Sequence, residues 1–318
     1  MICRVAESCF WLHRYLERAD SMSRLLEVNL AFMLDAPDGA TLEGESWRPL
    51  LVVAGEEPGF VGRHGSEGAR DAELVQRYLT WEPASPVSIY NSVQWARENA
   101  RTIREAISLD VWEAINGSWL WISGPDGRRM YKKSRRDFYV KVKESAQMVR
   151  GVTRDTIAHD EAFEFMRLGL MLERANQTAR LLDVWHHTMA GEAADAVAFA
   201  QAVAVLRSCS GTETFMKRGE VPTGARVARF LVLDSDFPRA VKHCLTEAAK
   251  MLERLAQRSQ RKPDLESPAR LSALIAHLHT AQTLARLDTA LHAELTALVD
   301  AIGGLCDAIQ RDFFDVKI

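Results

Sequence analysis

The sequence predicts an all-α protein, a helical bundle built from two related halves. Apolar residues recur at helical spacing along most of the chain, no stretch reads as a strand, and one charged helix is written twice. The first copy, YLERADSMSRLLEV, begins at Tyr15, and the second, MLERANQTARLLDV, begins at Met171.

The opening helix carries Phe10, Trp11, Leu12, Tyr15, Leu16, Ala19, Met22, Leu26 and Leu30, a wide apolar stripe that has to be buried. Similar periodicity predicts helices over about 88–107, 138–157, 161–189, 194–216, 238–256 and 268–309. Stretches rich in Gly, Pro and small polar residues separate them, at 35–46, 56–68, 123–127, 218–224 and 258–268, and these read as loops. Asp160 is placed to cap the second charged helix, and Pro238 and Pro268 suit the first turns of helices.

The repeat extends beyond one motif. VQRYLTWEPASPVSI from Val75 aligns without gaps on VARFLVLDSDFPRAV from Val227, pairing Arg77 with Arg229, Leu79 with Leu231 and Pro86 with Pro238. Two blocks in the same order point to a single domain over residues 1–318 with internal repeats of about 1–153 and 154–318, related by a pseudo-two-fold axis. Downstream the charges drift: Arg97 meets Ala249, Glu98 meets Lys250 and Arg101 meets Glu253. In the charged helices they hold. Glu17, Arg18, Arg24 and Glu27 meet Glu173, Arg174, Arg180 and Asp183.

At 3.6 residues per turn, Glu17, Asp20, Arg24 and Glu27 share one stripe, as do Glu173, Asn176, Arg180 and Asp183, whereas Arg18 and Arg174 project about 100° away. Such spacing also suits a solvated face with intrahelical pairs. Retention in both copies favours a constrained centre toward which both helices bring their charges. Two roles are open for it. It can be a set of buried ion pairs that fix how helices meet, or a site for a small anionic or zwitterionic ligand, with arginine as the carboxylate fork and Glu17 or Glu173 as acid/base.

Composition narrows the classes. A 318-residue chain with a formal charge of -3 offers no global basic field for nucleic acid or an anionic membrane. The one basic run, Arg128 to Lys143, is expected to be a solvated connection or a surface for an acidic partner, and nucleic acid is not the expected ligand. Charges interrupt the amino-terminal apolar residues, and no window approaches the roughly 20 apolar residues of a spanning helix. A cytoplasmic location, with no membrane segment, is the expectation. The five cysteines lack ligand spacing and read as reduced thiols, Cys3 and Cys9 as packed ones. Asp183 with His186 and His187 is the nearest approach to metal spacing, but the first copy has no matching histidine, so neither metal nor cofactor is expected. Gly-rich phosphate loops and nucleophile motifs are missing. His159, Asp160 and Glu161 are expected to shape a helix start.

RVAESCFWLHRYLERADSMSRLLEV, ARENARTIREAI, GVTRDTIAHDEAFEFMRLGLMLERANQTARLLDV and FLVLDSDFPRAV occur in that order, and through them the chain resembles the alpha-E family, bacterial all-helical proteins named for an ER motif. The ER dipeptides fall on Glu17-Arg18 and Glu173-Arg174. The chain departs from the family pattern at His13, commonly Gly, and Leu170, often Arg, so a role for Arg14 cannot be mirrored in the second half. The resemblance implies partners rather than a mechanism: a circularly permuted ATP-grasp protein and a transglutaminase-like protein. The expected function is therefore an accessory or substrate-positioning component of an ATP-grasp amide-ligase system. The alternative is a free-standing enzyme acting on a small amino-acid-like or peptide substrate at the Glu/Arg site.

Overall fold

The computed structural model describes residues 3–34, 47–189, 195–258, 265–280, 283, 286–287 and 289–315, except for the side chains of 186–189 and 195–197. Among the described residues every regular element is helical. In order these are α1 (Cys3–Leu34), α2 (Arg48–Ala54), α3 (Glu57–His64), a 3-10 turn (Glu67–Arg70), α4 (Ala72–Trp81), α5 (Ile89–Thr102), a second 3-10 turn (Arg104–Ala106), α6 (Leu109–Ser123), α7 (Pro125–Lys133) and α8 (Arg135–Thr156). There follow α9 (Glu161–Met189), α10 (Asp195–Ser208), α11 (Thr212–Met216), α12 (Gly224–Leu233), α13 (Val241–Arg258), α14 (Ser267–Leu278) and α15 (Leu291–Ile309), closed by a π turn (Gln310–Phe314).

Short polar side chains start many of these helices by accepting a backbone N–H that has no intrahelical acceptor. Asp71 accepts from Leu74 at 3.0 Å, Ser108 from Val111 at 3.1 Å and Asp160 from Ala162 at 2.9 Å. The last is the cap expected at the second charged helix. Five expectations change, the first at 123–127, read as a loop, where Pro125, Asp126 and Gly127 form the first turn of α7. Residues 56–68, read as a loop, hold α3, which has Pro58 in its first turn and ends at Gly65 with φ 71°. Residues 194–216 break at Ser210, whose φ of 53° is left-handed and cannot continue a right-handed helix. Among the described residues, 268–309 is not one continuous helix: α14 ends in a turn after Leu278, and α15 begins at Leu291. Pro268 lies in the first turn of α14, but Pro238 precedes α13, in a turn where the Ala240 N–H donates to the Phe237 carbonyl at 2.9 Å. The loop expected at 35–46 lies outside the described residues.

The chain divides into two compact units. One comprises Tyr15–Thr156; the other joins Met1–Arg14 to Ile157–Ile318, so α1 contributes to both. In the first unit α6 packs on α5, α7 and α8, and Trp81, Trp121, Tyr131, Phe138 and Tyr139 form an aromatic cluster. Edge-to-face rings such as Tyr131 on Phe138, with centroids 5.3 Å apart, place positive ring edges against negative faces. The basic run occupies α7 and the start of α8: Arg128 lies over the Trp81 ring, 4.7 Å from its centroid, while Arg135 pairs with Glu73 and Lys143 with Glu27. Part of the run is thus consumed by the unit's own packing.

In the second unit α9 is central, packed by α13 and α15. Phe314 closes it between Phe10 and Phe165, with centroids 5.4 and 5.7 Å away. Helix bounds recur along the chain. α12 begins and ends 152 positions after α4, α13 begins 152 after α5, and α15 begins 156 after α8.

The five cysteines, all among the described residues, form no disulfide. Cys9 is fully buried, and its thiol is pushed up to about 12, first by burial and then by the negative charge of Asp160. It therefore stays a neutral thiol at neutral and mildly alkaline pH. In the native protein at pH 8, Ellman's reagent is expected to leave Cys9 unmodified until the chain is unfolded, as peptide mapping of the modified cysteines will show.

Candidate functional site

The two charged helices each build a centre inside one unit, around carboxylates that the fold has taken out of water. Glu17, Asp20 and Glu173 are each 0% exposed. A carboxylate buried without a partner is unfavourable by several kcal/mol, so the identity of each partner decides what the centre is.

In the Tyr15–Thr156 unit that partner is Arg150 of α8. Its guanidinium forks across two carboxylates: Nη1 donates to Glu17 Oε2 at 2.8 Å and Nη2 to Asp20 Oδ2 at 3.1 Å. Arg24 Nε donates to the other Asp20 oxygen at 3.0 Å, one turn along the same helix. Glu27, a further turn on, is taken by Lys143 and, at 3.9 Å, by Arg136. Helix α8 thus brings Arg150, Lys143 and Arg136 to the charged stripe of α1.

In the other unit Arg14 answers Glu173. Its Nε and Nη2 both lie 2.9 Å from Glu173 Oε2, and Gln177 donates to Oε1 at 3.0 Å. The guanidinium also lies over the Trp11 ring, 4.6 Å from its centroid, which buries its face while its edge is hydrogen-bonded. Cys306 stands beside Arg14 and Glu173; burial raises its thiol, and Arg14 pulls the other way. Cys306 is 156 positions after Arg150, the offset that relates Glu17 to Glu173. Where the first unit uses an arginine from its last long helix, the second has a cysteine there and draws its arginine from the start of α1. Leu170, the counterpart of Arg14, is an apolar core residue.

The arginines of the ER dipeptides point elsewhere. Arg174 Nη1 donates to the Pro238 carbonyl at 3.3 Å, and Thr178 donates to the Arg239 carbonyl at 2.9 Å, so α9 grips the turn ahead of α13. Arg18 lies over the Tyr15 ring, 5.4 Å from its centroid. Asp183 accepts from His292 Nδ1 at 2.6 Å and from Thr296 at 3.5 Å. The side chains of His186 and His187 lie outside the described residues. His159 stacks on Phe163 at 3.9 Å, beside the Asp160 cap.

A third Glu-Arg dipeptide shows that the sequence pattern alone does not make a centre. In MLER at Met251, Glu253 is exposed, and Arg254 reaches back to α9 with a two-pronged bond to Glu164 at 2.6 and 2.8 Å. Sequence reasoning missed Arg150, Arg254 and buried Glu294, which meets His277 Nε2 at 2.5 Å and Arg286 at 3.3 Å. Arg150 had a signal: with Tyr139, Lys143, Ala146 and Thr153 it falls on the packed stripe of α8, where a cation needs a buried anion.

The fold and these centres define an all-helical protein in which the ER glutamates Glu17 and Glu173 are buried ion-pair acceptors. The chain belongs to the Alpha-E family, a predicted alpha-helical domain with a conserved ER motif, whose sequence model matches residues 1–314. Uncharacterized proteins of Mycobacterium bovis and Mycobacterium tuberculosis are each 26% identical to it over 265 residues. That alignment takes in 76% of this chain but spans only 28% of the length of each relative. No solved structure matches. Among the described residues no helix is long and apolar enough to cross a membrane.

Proposed function

We propose that this chain is an accessory, substrate-positioning component of an ATP-grasp amide-ligase system, and that its ER glutamates fix helices rather than transfer protons. The observation that carries this reading is the state of those glutamates. Glu17 and Glu173 are fully buried, and each accepts charged hydrogen bonds from an arginine on another helix. A carboxylate held this way is committed as an acceptor, and its strongest effect is on where the helices meet. The long mycobacterial relatives support a domain that works beside other polypeptide, since the matched region is a minor part of each.

The identity of the partners, a circularly permuted ATP-grasp protein and a transglutaminase-like protein, follows from the family resemblance. We also propose that residues 1–153 and 154–318 descend from one duplicated half in a cytoplasmic bacterial protein; the matched helix bounds support the duplication. Affinity purification from the native host at low salt, followed by mass spectrometry, tests the functional reading. Stoichiometric recovery of an ATP-grasp protein is expected. Recovery of the folded chain alone would overturn the accessory role in favour of a free-standing enzyme acting on a small amino-acid-like or peptide substrate.

A further inference from the structure

Arg24 and Arg180 hold the same place in the two charged helices but differ in what they find there. Four residues before Arg24 stands Asp20, whose Oδ1 accepts the Arg24 Nε–H at 3.0 Å. Four residues before Arg180 stands Asn176, which carries no charge. Among the described residues the buried Arg180 Nε has no hydrogen-bond partner. A guanidinium N–H removed from water without an acceptor is costly, and it keeps its full capacity to bind one.

The acid next along the helix does not fill the gap. Asp183, three residues beyond Arg180, is engaged by His292 and Thr296 of α15. The first unit has the same arrangement, with Glu27 engaged by Lys143 and Arg136 of α8. Glu173, on the other side, is occupied by Arg14 and Gln177. Arg24 Nε thus has a carboxylate to bond four residues earlier, and Arg180 Nε does not. The chain supplies that carboxylate in one copy and omits it in the other.

We propose that Arg180 and Asn176 form a binding site for the carboxylate of an amino acid or short peptide, which takes the place at Arg180 that the Asp20 carboxylate takes at Arg24. Arg180 Nε donates to one ligand oxygen, and the Asn176 amide is free to donate to the other, a pairing that an aspartate at 176 would prevent. The site names the substrate class for the positioning role proposed above and rests on that reading.

The arginine Nε–Hε resonances of the full chain provide the test, with the Arg180 signal assigned through its loss in Arg180→Lys. The probes are N-acetylglycine and glycylglycine, with N-acetylglycinamide as the control without a carboxylate and inorganic phosphate as the competing anion. The Arg180 resonance is expected to shift and saturate with the two carboxylates and to ignore the amide. Asn176→Asp, which restores an internal partner, is expected to weaken binding at least about tenfold while raising the melting temperature. A resonance that no carboxylate moves, one moved by phosphate alone, or an Asn176→Asp protein that binds like the parent would each overturn the site. Failure here alongside recovery of an ATP-grasp partner would remove only this inference, and a saturating shift without any partner would remove only the accessory role.

Discussion

Arg150→Met is expected to destabilise the protein by about 3–5 kcal/mol, because it leaves Glu17 and Asp20 buried without the cation that spans them. For domains of this size that corresponds to a melting temperature lowered by roughly 6–20 °C. The methionine retains volume and apolar stem, so the loss reports charge rather than a cavity. Adding Glu17→Gln to the same protein is expected to recover part of the loss, since a neutral amide is cheaper to bury than an unpaired carboxylate, and the cycle of single and double variants measures the coupling. Glu253→Ala serves as the control. That exposed ER glutamate is expected to change stability by no more than about 0.5 kcal/mol. If Arg150→Met melts within about 2 °C of the parent, the centre contributes little to stability and the argument for helix fixing fails.

Among the described glycines, Gly169→Ala is expected to be the most damaging change to alanine. A Cβ at that position would lie 2.1 Å from the Phe10 carbonyl oxygen and 3.0 Å from its carbon, both backbone atoms that no rotamer change can clear. It would also lie 3.1 Å from Arg14 Cγ, so relief of the clash moves the arginine that answers Glu173. Overpacking of this kind costs about 1–3 kcal/mol and here sits at the top of that range, because an ion pair is displaced with the backbone. Gly151 on α8 gives the contrast: nothing lies within 4 Å of its added Cβ, and Gly151→Ala is expected to raise stability by about 0.5–1 kcal/mol through helix propensity alone. Thermal melts of the two variants should therefore move in opposite directions.

Much of this was legible in the sequence because helices encode themselves locally. The period of the apolar positions gave the helical class, and the 161–189 helix was read with the bounds that the structure shows. The charged stripe was legible for the same reason, since 3.6 residues per turn puts Glu17, Asp20 and Arg24 on one line whatever surrounds them. Residues 56–68 misled because glycine and proline composition signals a loop, whereas Pro58 sits where a helix's first turn tolerates it and Gly65 simply ends that helix. The break at Ser210 carried only the Ser210-Gly211 dipeptide as a turn signal, which the helical period on either side outweighed.

By itself the sequence determined the helical class, the long charged helices, their repeated segment and the likeness to the Alpha-E family, whereas α2, α3, α4, α6 and α7, between residues 48 and 133, were not read from it. Only the tertiary structure decided which carboxylates are buried and which arginine answers each one. Periodicity fixes the face on which a residue stands, but burial and pairing depend on what another helix brings to that face. Arg150 is 133 residues from Glu17, and Arg14 is 159 from Glu173. For the same reason Arg24 and Arg180, equivalent in the sequence, differ in the folded chain: Arg24 is bonded to its own aspartate, while Arg180 Nε has no acceptor among the described residues.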